Sequence, residues 1–100
     1  MTAAAETTPP LFEVGRLIAT AGVAEILSQM CESQYALLPA LSRHVNGDWG
    51  NVSPQDKETN DAAVTNGSRI ISEYDFGSVK IWIYTEGDRN CTTFLLPDEY

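Results

Sequence analysis

The residues that could do chemistry in this chain are few, and most of them cluster in one run. Its single histidine, His44, stands in "RHVNGDWGN", residues 43–51, next to Arg43 and just before an Asp–Trp pair bracketed by Gly47 and Gly50. A histidine base with cationic side chains around a phosphate is the equipment of a small metal-independent nuclease. On that reading His44 takes the proton, while Arg89, Arg69, Tyr74 and Lys80, with Arg43 beside the base, supply the clamps. The same run also reads as a corner. Gly47 and Gly50 permit a sharp turn, Asp48 or Asn46 bonds nearby amides, and Trp49 plugs into the core. One histidine at a helix end more often packs or caps than catalyses, so a structural corner is expected.

Other reactive groups are sparser still. Cys31 and Cys91 are far apart and lack metal-ligand spacing. Cys31 falls on an apolar stripe, where a thiol is inert, and Cys91 follows a turn at the start of a strand. Two reduced, buried thiols and a cytoplasmic location are expected. The opening "MTAAAETTPP" is small, polar and acidic, unlike a signal peptide, and no stretch is apolar enough to span a bilayer. Glu86 and Asp88 pair in a hairpin turn, where two solvated acids are the default. The chain has no Gly-x-Ser-x-Gly elbow, phosphate-binding glycine loop or His-Glu-x-x-His. No cofactor and no metal site are expected.

Charge narrows the partners. Fourteen acids against six basic residues give a net charge of -8. Phosphate binding needs clustered Lys and Arg, so direct nucleic-acid binding is not expected. A nuclease of this charge would repel its own substrate. Acidity of this degree serves solubility, a basic protein partner, or imitation of nucleic acid.

The elements that must position these residues follow from periodicity. Residues 1–10 read as a flexible leader and 11–100 as a single domain. "LFEVGRLIA" fits a short strand or an irregular segment packed on the core. Thr20 is an N-cap for a helix whose Val23, Ile26, Leu27, Met30 and Cys31 form one stripe. Tyr35, Leu37, Leu38 and Leu41 surround Pro39, which places the start of a second helix near Leu38 and its end before Gly47. Ser53-Pro54-Gln55-Asp56 is an N-cap signature and Gly67 a C-terminal stop, which predicts a surface helix over 54–66. Then "SRIISEYD", "VKIWIYTE" and "CTTFLLP" alternate as strands joined by Gly-containing turns. Val79, Ile81 and Ile83 share the face that belongs on the helices; Lys80, Trp82 and Tyr84 share the other. The fold class predicted is α+β: N-terminal helices packed on a C-terminal, three- to four-stranded antiparallel meander sheet.

The chain also resembles a family of small acidic proteins carried on bacterial plasmids, integrative elements and gene cassettes. The matching motifs are "RHVNGDWG", "ND" at 60–61 before "NGSRIISEY", "IWIYTEGDR" and "TTFLLPDEY", with a weaker match at "LIATAGVAEIL". "YTEGDRNC" departs from the family pattern, which has Ile before the Thr-Glu and Ser after the Asp-Arg. Members are often labelled plasmid-related proteins or type I restriction M subunits. The second label fails here, because a methyl-donor site needs a parallel-sheet domain of about two hundred residues or more. The resemblance implies an accessory protein of mobile genetic elements with no assigned activity. Together with the charge, it implies a non-enzymatic protein that works by binding another protein. A sharper version sets an acidic surface against a host defence or DNA-processing complex. The binding surface expected is Trp82, Tyr84, Glu73, Glu86 and Asp88, and a homodimer through Trp82 and Tyr84 is a further expectation.

Overall fold

The computed structural model describes residues 10–29 and 33–100. Along the chain lie β1 (Arg16–Ala19), α1 (Ala21–Gln29), α2 (Ser33–Val45), α3 (Pro54–Asn66), β2 (Ile70–Phe76), β3 (Val79–Thr85) and β4 (Cys91–Leu95), followed by a 3-10 turn, Pro97–Glu99. The leader up to residue 9, Met30, Cys31 and the side chain of Tyr35 lie outside the described residues. Among the described residues no helix is long and apolar enough to cross a membrane.

The helix ends form where the capping chemistry puts them. Thr20 Oγ1 accepts from Val23 N–H at 3.3 Å and opens α1. Ser53 Oγ accepts from Asp56 N–H at 3.1 Å and opens α3, with Pro54 in its first turn. Gly67 closes α3 at φ 79°, its N–H donating to the Ala63 carbonyl. The second helix differs from expectation: α2 begins at Ser33 and carries Pro39 inside it. A proline there forfeits one backbone bond. Leu37, Ala40 and His44, at helical spacing and all buried, hold the helix on the sheet across that lesion.

β2, β3 and β4 form the predicted meander, with Ser72 opposite Ile83 and Ile83 opposite Phe94. The sheet is nevertheless mixed, not purely antiparallel. Its order is β1-β4-β3-β2, and β1 runs parallel to β4, with Arg16 opposite Cys91 and Ala19 opposite Phe94. "LFEVGRLIA" is therefore irregular over its first half and a strand over its second. Hairpin reasoning sees only partners close in sequence, and the partner of β1 lies at the other end of the domain.

The inner sheet face meets α1 and α2 through Val23, Leu37, Ala40, Tyr74, Ile81, Ile83 and Phe94. A second cluster joins Phe12, Trp49, Ala63 and Ile70 beneath α3. Burying a side chain such as Ile81 or Ile83 contributes about 1.5–3 kcal/mol. Ile70, of the two adjacent isoleucines, enters the core, while Ile71 is half-buried on the outer face.

The edge of β2 is sealed by an unusual device. Asn60, on α3 and almost fully buried, donates Nδ2–H to the Ile71 carbonyl at 2.8 Å and accepts from Ile71 N–H at 3.4 Å. Two residues along, Glu73 N–H donates to the Trp49 carbonyl and Asn51 N–H to the Glu73 carbonyl. Gly50 makes this approach at φ 76°, and a Cβ there would collide with the Glu73 carbonyl oxygen. Gly77 has a similar φ of 68° with open space around it. Both glycines would suffer the left-handed penalty of about 1–2 kcal/mol on substitution by alanine. Gly50→Ala should cost clearly more than Gly77→Ala in urea unfolding, because only the former also pushes strand backbone apart.

Candidate functional site

His44, placed by the last turns of α2, is fully buried. Its Nδ1 lies 2.6 Å from Ser72 Oγ and its Nε2 2.9 Å from Thr85 Oγ1. Thr85 Oγ1 is 2.8 Å from Thr92 Oγ1, and Thr92 donates to the Val14 carbonyl at 2.8 Å. A carbonyl can only accept, and each hydroxyl has one proton to give. The direction of the chain is therefore fixed: Thr92 donates to Val14, Thr85 to Thr92, His44 Nε2–H to Thr85, and Ser72 to a bare Nδ1. His44 is neutral, with its proton on Nε2. Burial, assisted by the positive charge of Arg89, pushes its pKa down to about 3. Phe12 and Trp49 stand edge-on to the ring at 5.2 and 5.9 Å. An imidazole so enclosed offers no lone pair to a substrate in solvent.

The cations named with it serve other ends. Arg89 sits at φ 61° and donates to the carbonyls of Ala63 (2.7 Å), Ser68 (2.8 Å) and Glu86 (3.1 Å). It thus places a positive charge on the C-terminal end of α3, where the helix dipole favours one. Tyr74 is buried inside the sheet and donates to the Asp48 carbonyl at 2.7 Å, and burial raises its pKa to about 12. Arg43 stacks over the Tyr74 ring at 4.8 Å and holds Asp48 with two hydrogen bonds, 2.7 and 3.2 Å. Arg69 lies on the opposite face of the sheet from His44, lining an outer cleft. The four residues His44, Arg89, Arg69 and Tyr74 do not converge on one cavity.

The corner "NGDWG" has the structure its glycines imply, with Gly47 at φ 88° and Gly50 at φ 76°. Asp48 Oδ1 accepts from Gly50 N–H at 3.2 Å, and the guanidinium of Arg43 holds its carboxyl below the usual range. Trp49 is buried, and its indole N–H reaches Asp61 on α3 at 2.9 Å. That last contact is not readable from the run itself; the signal is a buried tryptophan that must find an acceptor.

The expected binding surface divides into two parts. Glu73, Trp82 and Tyr100 line the outer cleft of about 290 Å3, against Ser53 and Asp56 at the start of α3. The Trp82 indole donates to Glu73 Oε1 at 2.8 Å, and Lys80 bridges Glu73 (3.7 Å) and Asp75 (3.1 Å). Tyr100 lies across Trp82 and Tyr84, with ring centroids 5.4 and 5.9 Å away. Glu86 and Asp88 instead belong to the β3–β4 turn. Asp88 accepts from the Asn90 amide and side chain, and Glu86 from the Cys91 thiol at 3.2 Å. Cys91 is thus a half-exposed free thiol rather than a buried one, and Glu86 raises its pKa. A larger groove, about 870 Å3, runs between residues 10–15 and α2; it is mainly apolar and includes neither His44 nor an arginine. Among the described residues no group of three His, Cys, Asp or Glu side chains is placed to hold a metal.

The buried imidazole makes stability depend on pH in a defined window. Its folded pKa lies below the ordinary 6.5, so its contribution is complete above that value and declines as pH falls. The loss should approach about 1.4 kcal/mol per pH unit. Asp48 and Glu99, depressed from 3.8 and 4.5, add their own loss only around and below those values. Urea midpoints between pH 6.5 and 5 should therefore fall for the unmodified chain and stay nearly level for His44→Gln, whatever that change costs at neutral pH. Compared with family models, with curated proteins and with solved structures, the chain matches none.

Proposed function

We propose that this is a non-enzymatic protein-binding domain, an accessory of mobile genetic elements, whose outer cleft takes a basic side chain from a partner protein. The observation that carries the reading is the cleft of Trp82, Tyr100, Glu73 and Asp56 on the sheet face that the helices leave uncovered. An indole face and two carboxylates suit a cation with a long apolar stem, and Arg69 is the only cation among the lining residues. The net charge of -8 draws a basic partner over a longer range. The mobile-element part rests on the motif resemblance alone.

Two features weigh on the competing readings. His44 is buried with both ring nitrogens hydrogen-bonded, which weighs against a nuclease that uses it as base. The acids are spread over α3 (Asp56, Glu58, Asp61), the edge strand β2 (Glu73, Asp75), the β3–β4 turn (Glu86, Asp88) and the final turn (Asp98, Glu99). Imitation of nucleic acid asks for one dominant acidic face, so binding through the cleft is preferred to it.

The two tryptophans give a direct test. Titration with an Arg-rich peptide should shift the indole N–H resonance of Trp82 while leaving that of buried Trp49 in place. Glu73→Gln should weaken binding about three- to tenfold, in line with loss of one partly exposed charge contact. An unmoved Trp82 resonance, or an equal response to an Asp/Glu-rich peptide, would refute the reading.

A further inference from the structure

The two edges of the sheet are finished differently. Asn60, Trp49 and Asn51 occupy the outward backbone groups of Ile71 and Glu73 on β2. At β1, Arg16 N–H and Thr20 N–H point inward, to the carbonyls of Asn90 and Phe94. Alternation then turns the N–H and C=O groups of Leu17 and Ala19 outward. Among the described residues nothing pairs with them. All four residues of β1 are exposed, Leu17 by 47% and Ile18 by 39%. An open edge carrying two large apolar side chains is a template for another strand.

From this edge we infer that two copies of the chain pair through β1, antiparallel about a two-fold axis at Ile18, to make one continuous eight-stranded sheet. Several features select a second copy as the occupant. The outward groups sit on residues 17 and 19, symmetric about 18. Leu17 and the partner's Ala19 therefore form a hydrogen-bonded pair, and Ile18 meets its own counterpart in a non-hydrogen-bonded one. The same register sets Arg16 opposite the partner's Thr20. Thr20 Oγ1 donates to Glu99 Oε1 at 2.6 Å, and Glu99 is fixed further by the N–H groups of Gly22 (3.2 Å) and Leu96 (2.8 Å). Arg16, Ile18 and Thr20 all project on the outer face, so each guanidinium arrives beside a carboxylate already held in place. Among the described residues Arg16 has no ion-pair partner of its own. Two symmetric Arg16–Glu99 contacts thus offset part of the repulsion between two acidic bodies. The surface differs from the Trp82–Tyr84 face, which Tyr100 already overlies.

Light scattering on the full chain should give twice the monomer mass. Ile18→Arg, which sets like charges face to face on the axis, should raise the dimer dissociation constant by about tenfold or more. Circular dichroism checks that this variant stays folded. A positive test does not depend on loss. In a Cys31→Ser/Cys91→Ser background, Ile18→Cys should form an intermolecular disulfide on mild oxidation, because non-hydrogen-bonded pairs bring Cα atoms to about 4.5 Å. Leu17→Cys, which faces the partner's Ala19, should not. A monomeric unmodified chain, equal crosslinking of both variants, or a dimer abolished by Trp82→Ala/Tyr84→Ala but not by Ile18→Arg would overturn the inference. A monomeric chain or equal crosslinking of the two cysteine variants leaves the outer cleft untouched, so the two proposals can fail separately.

Discussion

The structure depends first on one buried chain of hydrogen bonds, from Ser72 through His44, Thr85 and Thr92 to the carbonyl of Val14. It joins α2, all three meander strands and the irregular segment that precedes β1. Apolar packing tolerates small slides between elements. A chain of single-proton donors does not, because moving one member strands its neighbours without partners, at about 1–3 kcal/mol for each buried group left unpaired. The network therefore fixes how far α2 is advanced along the sheet. Phe12 and Trp49 pack against the same imidazole, so the position of the ring also sets the corner after α2. That corner in turn delivers Trp49 and Asn51 to the edge of β2 and the indole N–H to α3.

Much of this was legible in the sequence wherever the governing interaction is local. Ser53 and Gly67 bound α3 because a hydroxyl and a left-handed glycine act within one turn of themselves. The alternation around Ile81, Ile83 and Trp82 assigned the two faces of β3 because the pleat has a period of two. The glycines of the corner declared a turn. What escaped notice depends on partners far away in the chain. The parallel pairing of β1 with β4, the stretch of α2 before Pro39, and the use of Asn60 as a substitute strand leave no periodic trace. His44 shows the same limit. Its type and place suggested either chemistry or packing, and the hydroxyls of Ser72 and Thr85 that engage both ring nitrogens are brought by two other strands.

The polar residues divide the same way. Arg43, Arg89, Asp48 and Asp61 are each committed to a backbone or side-chain partner at a junction between elements. Arg89 is the clearest case. It occupies a backbone conformation that most side chains avoid, and in doing so sets its guanidinium on three carbonyls and over the ring of Phe12. Such strain persists when the surroundings over-determine it. The outer face is less constrained, and there the aromatic rings and the Glu73–Lys80–Asp75 group remain within reach of solvent.

The strand order has a consequence for how the protein is made. β4, which follows the other described strands in sequence, is an interior strand, flanked by β3 and by β1. A nascent polypeptide can close the hairpin of β2 and β3 early, but β1 must wait until β4 has been made. Until then the middle of the sheet is missing and the Val14 carbonyl has no hydroxyl to receive. Closure of the sheet should accordingly come after β4 is made and be limited by a long loop closure, with chaperones meeting an incomplete sheet rather than a finished half.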